Sequence, residues 1–344
     1  MKAEFYVGTY ASECEEGILK VRADFESRTF TRAGGFTGIP NPSWVLVHPN
    51  GKMLYAVQEK NPGGRLSAFS VSENTLTLLH TWETDGADPC HISLDPQGAF
   101  LSVANYTSGS LAVFRLDAQG VPEGMGGFVQ HTGEGTDPVR QEGPHIHFSM
   151  MHEGELFVTD LGLDRISRYR VDRRSGKLQE SGQPVITAAG YGPRHFCFHP
   201  VKQQLLYVLT EMGNTLFVYA EQTDGSFAEI QRIRTLPEDF GGFSTAAAIR
   251  FSDDGRTLFT SNRGHDSITA FHIREDGTAE WQDCCLTGGK TPRDFRVFGN
   301  YLVTANQDGG GITVLVYDAE KGKLQQTKMR MRTAGKPVCI SALQ

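Results

Sequence analysis

Two sets of polar side chains recur at fixed places in a repeated sequence unit, and their types could do chemistry. One set follows the start of a unit and comprises His91, His145, His147, Arg194, His195 and Arg293. The other set ends the second apolar run of a unit and comprises Glu59, Asn105, Glu211, Arg263 and Gln307. Guanidinium groups bind carboxylates or phosphates through paired hydrogen bonds and can stabilise an oxyanion. We therefore expect an anion-binding pocket, although strand ends in water or a ring of structural ion pairs would show the same pattern.

His147 and Glu211 are the best general acid and base pair in these sets. A histidine titrates near neutral pH, and a neighbouring carboxylate can orient or assist it. The sequence has no GxSxG, HExxH, Walker or GxGxxG pattern, which disfavours a serine triad, a zinc hydrolase and a nucleotide enzyme. Neighbouring arginines would repel a divalent cation, so we predict no metal and no cofactor.

A repeat unit runs along almost the whole chain and must supply the elements that position these side chains. Each unit has an apolar strand, a turn such as residues 48–51, a second strand ending in a polar residue, a Gly/Asn turn and a third strand. The units start at Pro42, Pro89, Pro144, Pro193, Ala246, Pro292 and Pro337, spaced 45 to 55 residues apart. This period is typical of propellers, and alternating apolar residues within the strands predict antiparallel blades.

The two ends of the chain complete one another. The last unit has one strand, KPVCISAL, whereas the N-terminus supplies EFYVGTY and GILKVRA without a first strand. Sharing them in one blade would close a ring and remove exposed edges. The sequence thus predicts an all-β fold, a single seven-bladed β-propeller of four-stranded antiparallel blades over residues 1–344. A β-helix or a pair of sandwiches is the alternative. In such a propeller both polar sets would face one axial mouth.

Composition and charge narrow the classes of partner. The chain is 39% hydrophobic and 21% charged, with 39 glycines and 15 prolines, which is typical of a soluble, turn-rich fold. A net charge of -7 argues against nucleic acid. No signal-peptide pattern or membrane-length apolar stretch is present, and the six cysteines show no CxxC pair. We expect a cytoplasmic monomer or weak homo-oligomer with reduced thiols, without nucleic-acid or membrane partners.

The segment from residue 121 to residue 142 lengthens one connection between units. It contains HTGEGTDPVRQE and leads directly into His145 and His147. This position predicts either a wall over the mouth or a solvated loop.

The stretches RQEGPHIHF, GPRHFCFHP, YVLTEMGN, LFTSNRGHDSITAF and TPRDFRV, with the blade register, resemble the lactonase family of seven-bladed propellers. The resemblance covers essentially the whole chain. That family contains bacterial propeller-type 6-phosphogluconolactonases and fungal carboxy-cis,cis-muconate cyclases. By motif, the active-site set of the cyclase branch corresponds to His147, Arg194, Glu211 and Arg263. The asparagine before Arg263 and the second histidine, His145, depart from the family pattern.

The resemblance implies hydrolysis of a small anionic sugar lactone, with 6-phosphogluconolactone of the pentose phosphate pathway as the leading substrate. His147, helped by Glu211, would be the general base toward water. Arg263 or Arg194 would stabilise the oxyanion, and Arg293 would anchor the anionic tail of the substrate. The other residues expected to bind substrate are His91, His145, His195, Asn105, Glu59 and Gln307. A carboxymuconate cycloisomerase and a non-catalytic binding propeller are the alternatives.

Overall fold

The computed structural model describes residues 1–342, which form strands and turns without an α-helix. No helix in this range is therefore long and apolar enough to cross a membrane. The first three strands are β1 (Lys2–Tyr10), β2 (Glu16–Asp24) and β3 (Thr29–Thr37). Blades 1 to 3 comprise β4 (Val45–Val47), β5 (Met53–Gln58), β6 (Arg65–Ser72), β7 (Thr75–Glu83); β8 (Pro89–Leu94), β9 (Phe100–Asn105), β10 (Ser110–Leu116), β11 (Pro122–Gln130); β12 (Ile146–His152), β13 (Glu155–Asp160), β14 (Arg165–Val171), β15 (Leu178–Glu180) and β16 (Val185–Ile186).

Blades 4 to 6 follow with the same antiparallel order, and the last strand belongs to blade 7. They comprise β17 (Pro193–Phe198), β18 (Leu205–Thr210), β19 (Thr215–Glu221), β20 (Phe227–Arg234); β21 (Thr245–Phe251), β22 (Thr257–Arg263), β23 (Ser267–Ile273), β24 (Ala279–Leu286); β25 (Lys290–Phe298), β26 (Tyr301–Gly309), β27 (Gly311–Asp318), β28 (Lys323–Met331); and β29 (Lys336–Ala342).

The ends of the chain close the ring as predicted. Strand β29 pairs antiparallel with β1, with Phe5 opposite Ala342 and Gly8 opposite Cys339. Blade 7 therefore consists of β29, β1, β2 and β3 in that order. The innermost strand of each blade contacts the innermost strand of the next, and β29 contacts β4 of blade 1. The fold is a seven-bladed β-propeller.

Two blades depart from the simple four-stranded plan. In blade 3 the outer position is divided between β15 and β16, which both pair with β14. The outer strands of blades 7 and 1 also meet, because Gly35 of β3 pairs in parallel with Thr75 of β7. A side chain at the adjacent Gly34 would lie 2.1 Å from the carbonyl oxygen of Asn74. Only glycine allows this close approach of the two blades.

The hydrophobic core lies between the blades, because each sheet buries both faces. Alternate residues of β1 point to opposite sides. Phe5 and Val7 pack against Val303 of blade 6, whereas Tyr6 packs against Leu54 of blade 1. Seven such clusters occur among the described residues, one at each interface of neighbouring blades. This packing fixes the inner strands around a central channel.

Candidate active site

Bulges in the inner strands aim one set of side chains at the channel axis. In blades 2, 3, 4 and 6 the pairing with the second strand skips one residue just after the strand begins. The skipped residues are Cys90, His147, Arg194 and Arg293. A bulge redirects a side chain out of the regular alternation. These four residues line one small cavity at one end of the channel.

The second strands end in two registers that lie one residue apart. In one register the side chain bonds to its own blade and to the connection that precedes it, as Asn105 Nδ2 donates to Ser110 Oγ at 3.1 Å and to the Thr84 oxygen at 3.4 Å. Asn262 Nδ2 repeats this bond with Ser267 Oγ at 3.2 Å. The next register comprises Tyr10, Glu59, Tyr106, Glu211, Arg263 and Gln307. The structure therefore does not bring Asn105 to the other predicted residues, since one step along a strand reverses the side chain. Tyr106 holds that place.

Glu211, immediately after β18, lies among three guanidinium groups. Its Oε2 accepts from Arg194 Nε at 3.0 Å and lies 2.7 Å from Arg263 Nη2. Its Oε1 accepts from Arg140 Nη2 at 2.6 Å. Arg194 is held further because its Nη1 donates to the Ala247 carbonyl oxygen at 2.6 Å. Three of the predicted catalytic side chains thus form one buried ion cluster.

This end of the channel carries more positive than negative charge. Burial raises the pKa of the Glu211 carboxyl, but Arg263 and Arg194 outweigh burial and hold that pKa well below 4.5. Burial, then Arg263 and Arg293, lowers the pKa of Arg194 to about 9, so Arg194 is still charged at neutral pH. Burial raises the pKa of Glu59. Even with Glu59 ionised, the four guanidinium groups exceed the two carboxylates by two charges, which favours binding of an anion.

His147 supplies a neutral imidazole to the same cavity. The residue is 4% exposed, and its Nδ1 has no hydrogen-bond partner among residues 1–342. Burial and then Arg194 lower the pKa of His147 well below 6.5, against a smaller raising effect of Glu211. In the described part of the chain no hydrogen bond joins His147 to Glu211. The imidazole is therefore neutral and unprotonated at neutral pH.

Arg293 and Glu59 form the opposite side of the pocket. Arg293 Nη1 donates to Gln307 Oε1 at 3.4 Å, and the guanidinium lies 5.5 Å from the centre of the Tyr10 ring. Tyr10 donates its hydroxyl to Glu59 Oε1 at 2.8 Å, and Ser43 donates to the other oxygen. Glu59 and Arg293 thus line the pocket, whereas Gln307 reaches it only through Arg293.

The small cavity lies between these two sides. Its lining residues are Ser43, Trp44, Glu59, Cys90, His147, Arg194, Arg293 and Val338. Its volume is about 10 Å³, which is close to the space that one water molecule needs. Burial raises the pKa of the Cys90 thiol, so this cysteine is not a thiolate nucleophile. The arrangement places an imidazole base and two guanidinium donors around a space for water.

The other predicted histidines occupy different places. His195 Nε2 accepts from Arg194 Nη1 at 3.1 Å, so it supports the cluster from one layer deeper in the channel. His91 lies in that deeper layer too, with its ring 4.1 Å from the Phe148 ring, because the bulged residue of its blade is Cys90. His145 stacks on the Tyr106 ring at 4.6 Å. These three histidines therefore surround the cluster and do not join its carboxylate.

The connection between blades 2 and 3 supplies a residue that the sequence interpretation missed. Its first part is strand β11, and the rest folds over the mouth, where Gln141 Nε2 donates to the Leu161 carbonyl oxygen at 2.9 Å. Arg140, 38% exposed, reaches Glu211 and also donates to the Tyr106 hydroxyl at 3.3 Å. Arg140 and Gln141 make the end of the segment a wall of the pocket, whereas most of residues 132–139 are exposed to solvent. The sequence could have pointed to Arg140, because it is the first residue of the RQEGPHIHF stretch.

The fold and this pocket define a class: seven-bladed propellers with a buried, cationic site at one axial mouth. The family described as "Lactonase, 7-bladed beta-propeller" matches residues 4–342, and the chain belongs to that family. A 6-phosphogluconolactonase of Bacillus subtilis is 34% identical, over 98% of this chain and 97% of its own length. A 6-phosphogluconolactonase of Formosa agariphila is 32% identical, over 86% and 87% of the two chains.

A solved structure shows the same similarity in three dimensions. The periplasmic gluconolactonase of Pseudomonas aeruginosa superposes with a TM-score of 0.91 at 25% identity, covering 100% of this chain and 99% of its own. Together the family and these relatives identify the protein as a lactonase-type hydrolase.

Proposed function

We propose that this protein hydrolyses a small anionic sugar lactone, with 6-phosphogluconolactone as substrate and 6-phosphogluconate as product. The observation that carries the proposal is the excess of guanidinium groups around the buried carboxylate of Glu211, beside the neutral imidazole of His147. Two relatives bear the name 6-phosphogluconolactonase. The third is a gluconolactonase, and the surplus of positive charge favours the phosphorylated lactone over the neutral one.

Water attack on the lactone carbonyl accounts for the arrangement of groups. A water molecule in the small cavity loses a proton to His147 as its oxygen bonds to the carbonyl carbon. Arg194 and Arg263 stabilise the negative oxygen of the tetrahedral intermediate. The carbon–oxygen bond of the ring then breaks, and the proton held by His147 passes to the departing ring oxygen. Arg293 holds the phosphate away from the reacting carbon.

Glu211 has a positioning role in this proposal. Its carboxylate binds three guanidinium groups and makes no described hydrogen bond to His147. A carboxyl whose pKa lies well below 4.5 is a poor proton acceptor. Glu211 therefore keeps the arginines close together against their mutual repulsion, and His147 acts as the base alone.

The proposal carries the sequence-based expectations about cellular context with it. Production of 6-phosphogluconate would place the protein in the pentose phosphate pathway and in the cytoplasm. We propose that the protein acts on a small molecule as a monomer or weak homo-oligomer, without a metal, a cofactor, nucleic acid or a membrane.

Kinetics on two lactones that differ by one phosphate test this function. We expect kcat/KM for 6-phosphogluconolactone to exceed that for gluconolactone by about 10- to 100-fold, the value of one charge-assisted contact. Arg293→Gln should remove most of this preference. His147→Ala should lower kcat by about 100-fold or more. Rates like those of the unmodified protein in both His147→Ala and Arg194→Ala would end the assignment.

Assays on the same purified protein distinguish the alternative isomerase activity from lactone hydrolysis. A cycloisomerase would convert carboxymuconolactone and its open muconate without water, using the arginines for two carboxylates. We expect no conversion of that pair at protein concentrations that hydrolyse the phosphorylated lactone. Conversion of carboxymuconolactone with no lactone hydrolysis would favour the isomerase.

A further inference from the structure

A second, larger cavity opens at the other end of the central channel. Its volume is about 690 Å³, which falls in the range of small-molecule sites. The later residues of the inner strands form its wall, including Phe148, Phe198 and Phe251. Two arginines, Arg250 and Arg296, are the cationic side chains in that wall.

Four rings in mutual contact, in tilted and edge-on arrangements, separate this cavity from the lactone pocket. The ring centres of Trp44 and His91 lie 4.4 Å apart, and those of His91 and Phe148 lie 4.1 Å apart. Phe148 and His195 follow at 4.7 Å, and His195 returns to Trp44 at 5.9 Å. These side chains close the channel across its axis. The two cavities are therefore distinct sites on opposite sides of one aromatic layer.

The arginine pair in the far cavity is only half neutralised. Arg250 Nη2 donates to Asp294 Oδ1 at 2.9 Å, and the other oxygen of Asp294 accepts from the Ile340 amide at 2.9 Å. Arg250 Nε is buried without a partner among residues 1–342. Arg296 makes no hydrogen bond or ion pair within the same range, and the carboxylate that most raises its pKa is Asp294, which already pairs with Arg250.

The other charged group of the wall is already matched. The side chain of Asp95 is buried, and its Oδ1 lies 3.6 Å from Arg173 Nη2. Two guanidinium groups and one buried carboxylate leave a net charge of one positive unit. Burial and then Arg250 lower the pKa of Arg296, against a smaller raising effect of Asp294, as expected when two buried cations share one carboxylate.

We propose that the far cavity binds a monocarboxylate with an aromatic or branched apolar body. The carboxylate matches the single surplus charge and pairs with the planar fork of Arg296. The apolar body packs between the phenylalanine rings. This site is separate from lactone hydrolysis and stands whether or not that proposed activity is correct.

The test uses 4-iodobenzoate, because anomalous scattering locates its iodine in a soaked crystal of the complete protein. We expect the iodine between Phe148 and Phe198 and the carboxylate on Arg296. In solution we expect saturable binding with a Kd in the low-millimolar range or tighter, as suits a ligand of about ten heavy atoms. Arg296→Gln should weaken binding at least tenfold. Arg330→Gln, an exposed arginine on β28, is the control of equal charge and should leave binding unchanged.

Three results would overturn the proposal. One is no saturable binding up to about 20 mM, which would make the cavity a solvent-filled end of the channel. Another is iodine in the pocket of Arg194 and Arg293. The third is an equal loss of affinity in Arg296→Gln and Arg330→Gln. The crystal arm uses the unmodified chain, so poor folding of a variant does not remove the test.

Discussion

Replacement of Glu211 by glutamine is the perturbation that the structure allows us to work out furthest. The change keeps the shape of the side chain but removes the charge that binds Arg140, Arg194 and Arg263 at 2.6, 3.0 and 2.7 Å. Removal of one partner from a buried ion pair costs about 3–5 kcal/mol. An unfolding entropy of roughly 2.1 cal/mol/K per residue amounts to about 0.7 kcal/mol/K for this chain. Glu211→Gln should therefore lower Tm by about 4–7 °C.

The pH dependence of this loss has a definite sign. The pKa of Glu211 is lowered in the folded protein. Its stabilising effect is therefore complete above the pKa of the unfolded chain and disappears only as pH falls through the folded value. The difference in Tm between the unmodified protein and Glu211→Gln should stay constant from about pH 8 to pH 5 and shrink in stronger acid.

Calorimetry with and without phosphate is the assay, and Glu155→Gln is the matched control. Glu155 pairs with the buried Arg168 at 2.5 Å, away from the channel. Phosphate should raise the Tm of Glu211→Gln more than that of the unmodified protein, because an anion replaces the missing carboxylate; saturation at 100 times Kd is worth about 2.7 kcal/mol. Phosphate should not do so for Glu155→Gln. A Tm within 1 °C of the unmodified protein, or an equal phosphate response in both variants, would refute the reasoning.

Three further predictions concern the neighbours of this cluster. Because the pKa of His147 is lowered, the acid limb of kcat/KM should lie below pH 6.5; an acid limb at or above pH 6.5, in rates corrected for spontaneous hydrolysis, would contradict a free neutral base. Asn105→Ala should lower the free energy of unfolding in urea by about 1–3 kcal/mol and leave KM unchanged. Tyr106→Phe should raise KM with little loss of stability. The reverse pattern would show that Asn105, and not Tyr106, contacts the substrate. Arg140→Gln should cost less than about 1 kcal/mol, as its ion pair is partly exposed, yet raise KM for the phosphorylated lactone several-fold; an unchanged KM would exclude the wall from substrate binding.

The fold could be predicted because the sequence pattern of each repeat unit is that of one propeller blade. Proline-marked starts, equal turns and two-residue alternation describe one blade, and the incomplete units at the two ends supply the missing strands for each other. The structure confirms the closure, as Gly8 pairs with Cys339. The pairing of Gly35 with Thr75 between blades 7 and 1 is not part of the repeat, so the periodic pattern does not predict it.

The site could be predicted only where the repeat stays in register. Glu211 comes directly after β18 and Arg263 is the last residue of β22, but both directly follow equivalent pairs, Thr210 with Thr215 and Asn262 with Ser267, and both reach the cluster. The bulge that turns Cys90 toward the cavity and leaves His91 in the deeper layer has no signature in alternation. Arg140 comes from a connection between blades, and tertiary folding alone brings it to Glu211.

The structure of the protein with bound 6-phosphogluconate is the most direct test of the anion pocket beside His147. We predict that the phosphate oxygens lie within hydrogen-bond distance of Arg293 and that the new carboxylate lies between Arg194, Arg263 and the His147 ring. Binding of the product outside the reach of these four side chains, or only in the cavity beyond the aromatic layer, would contradict the account.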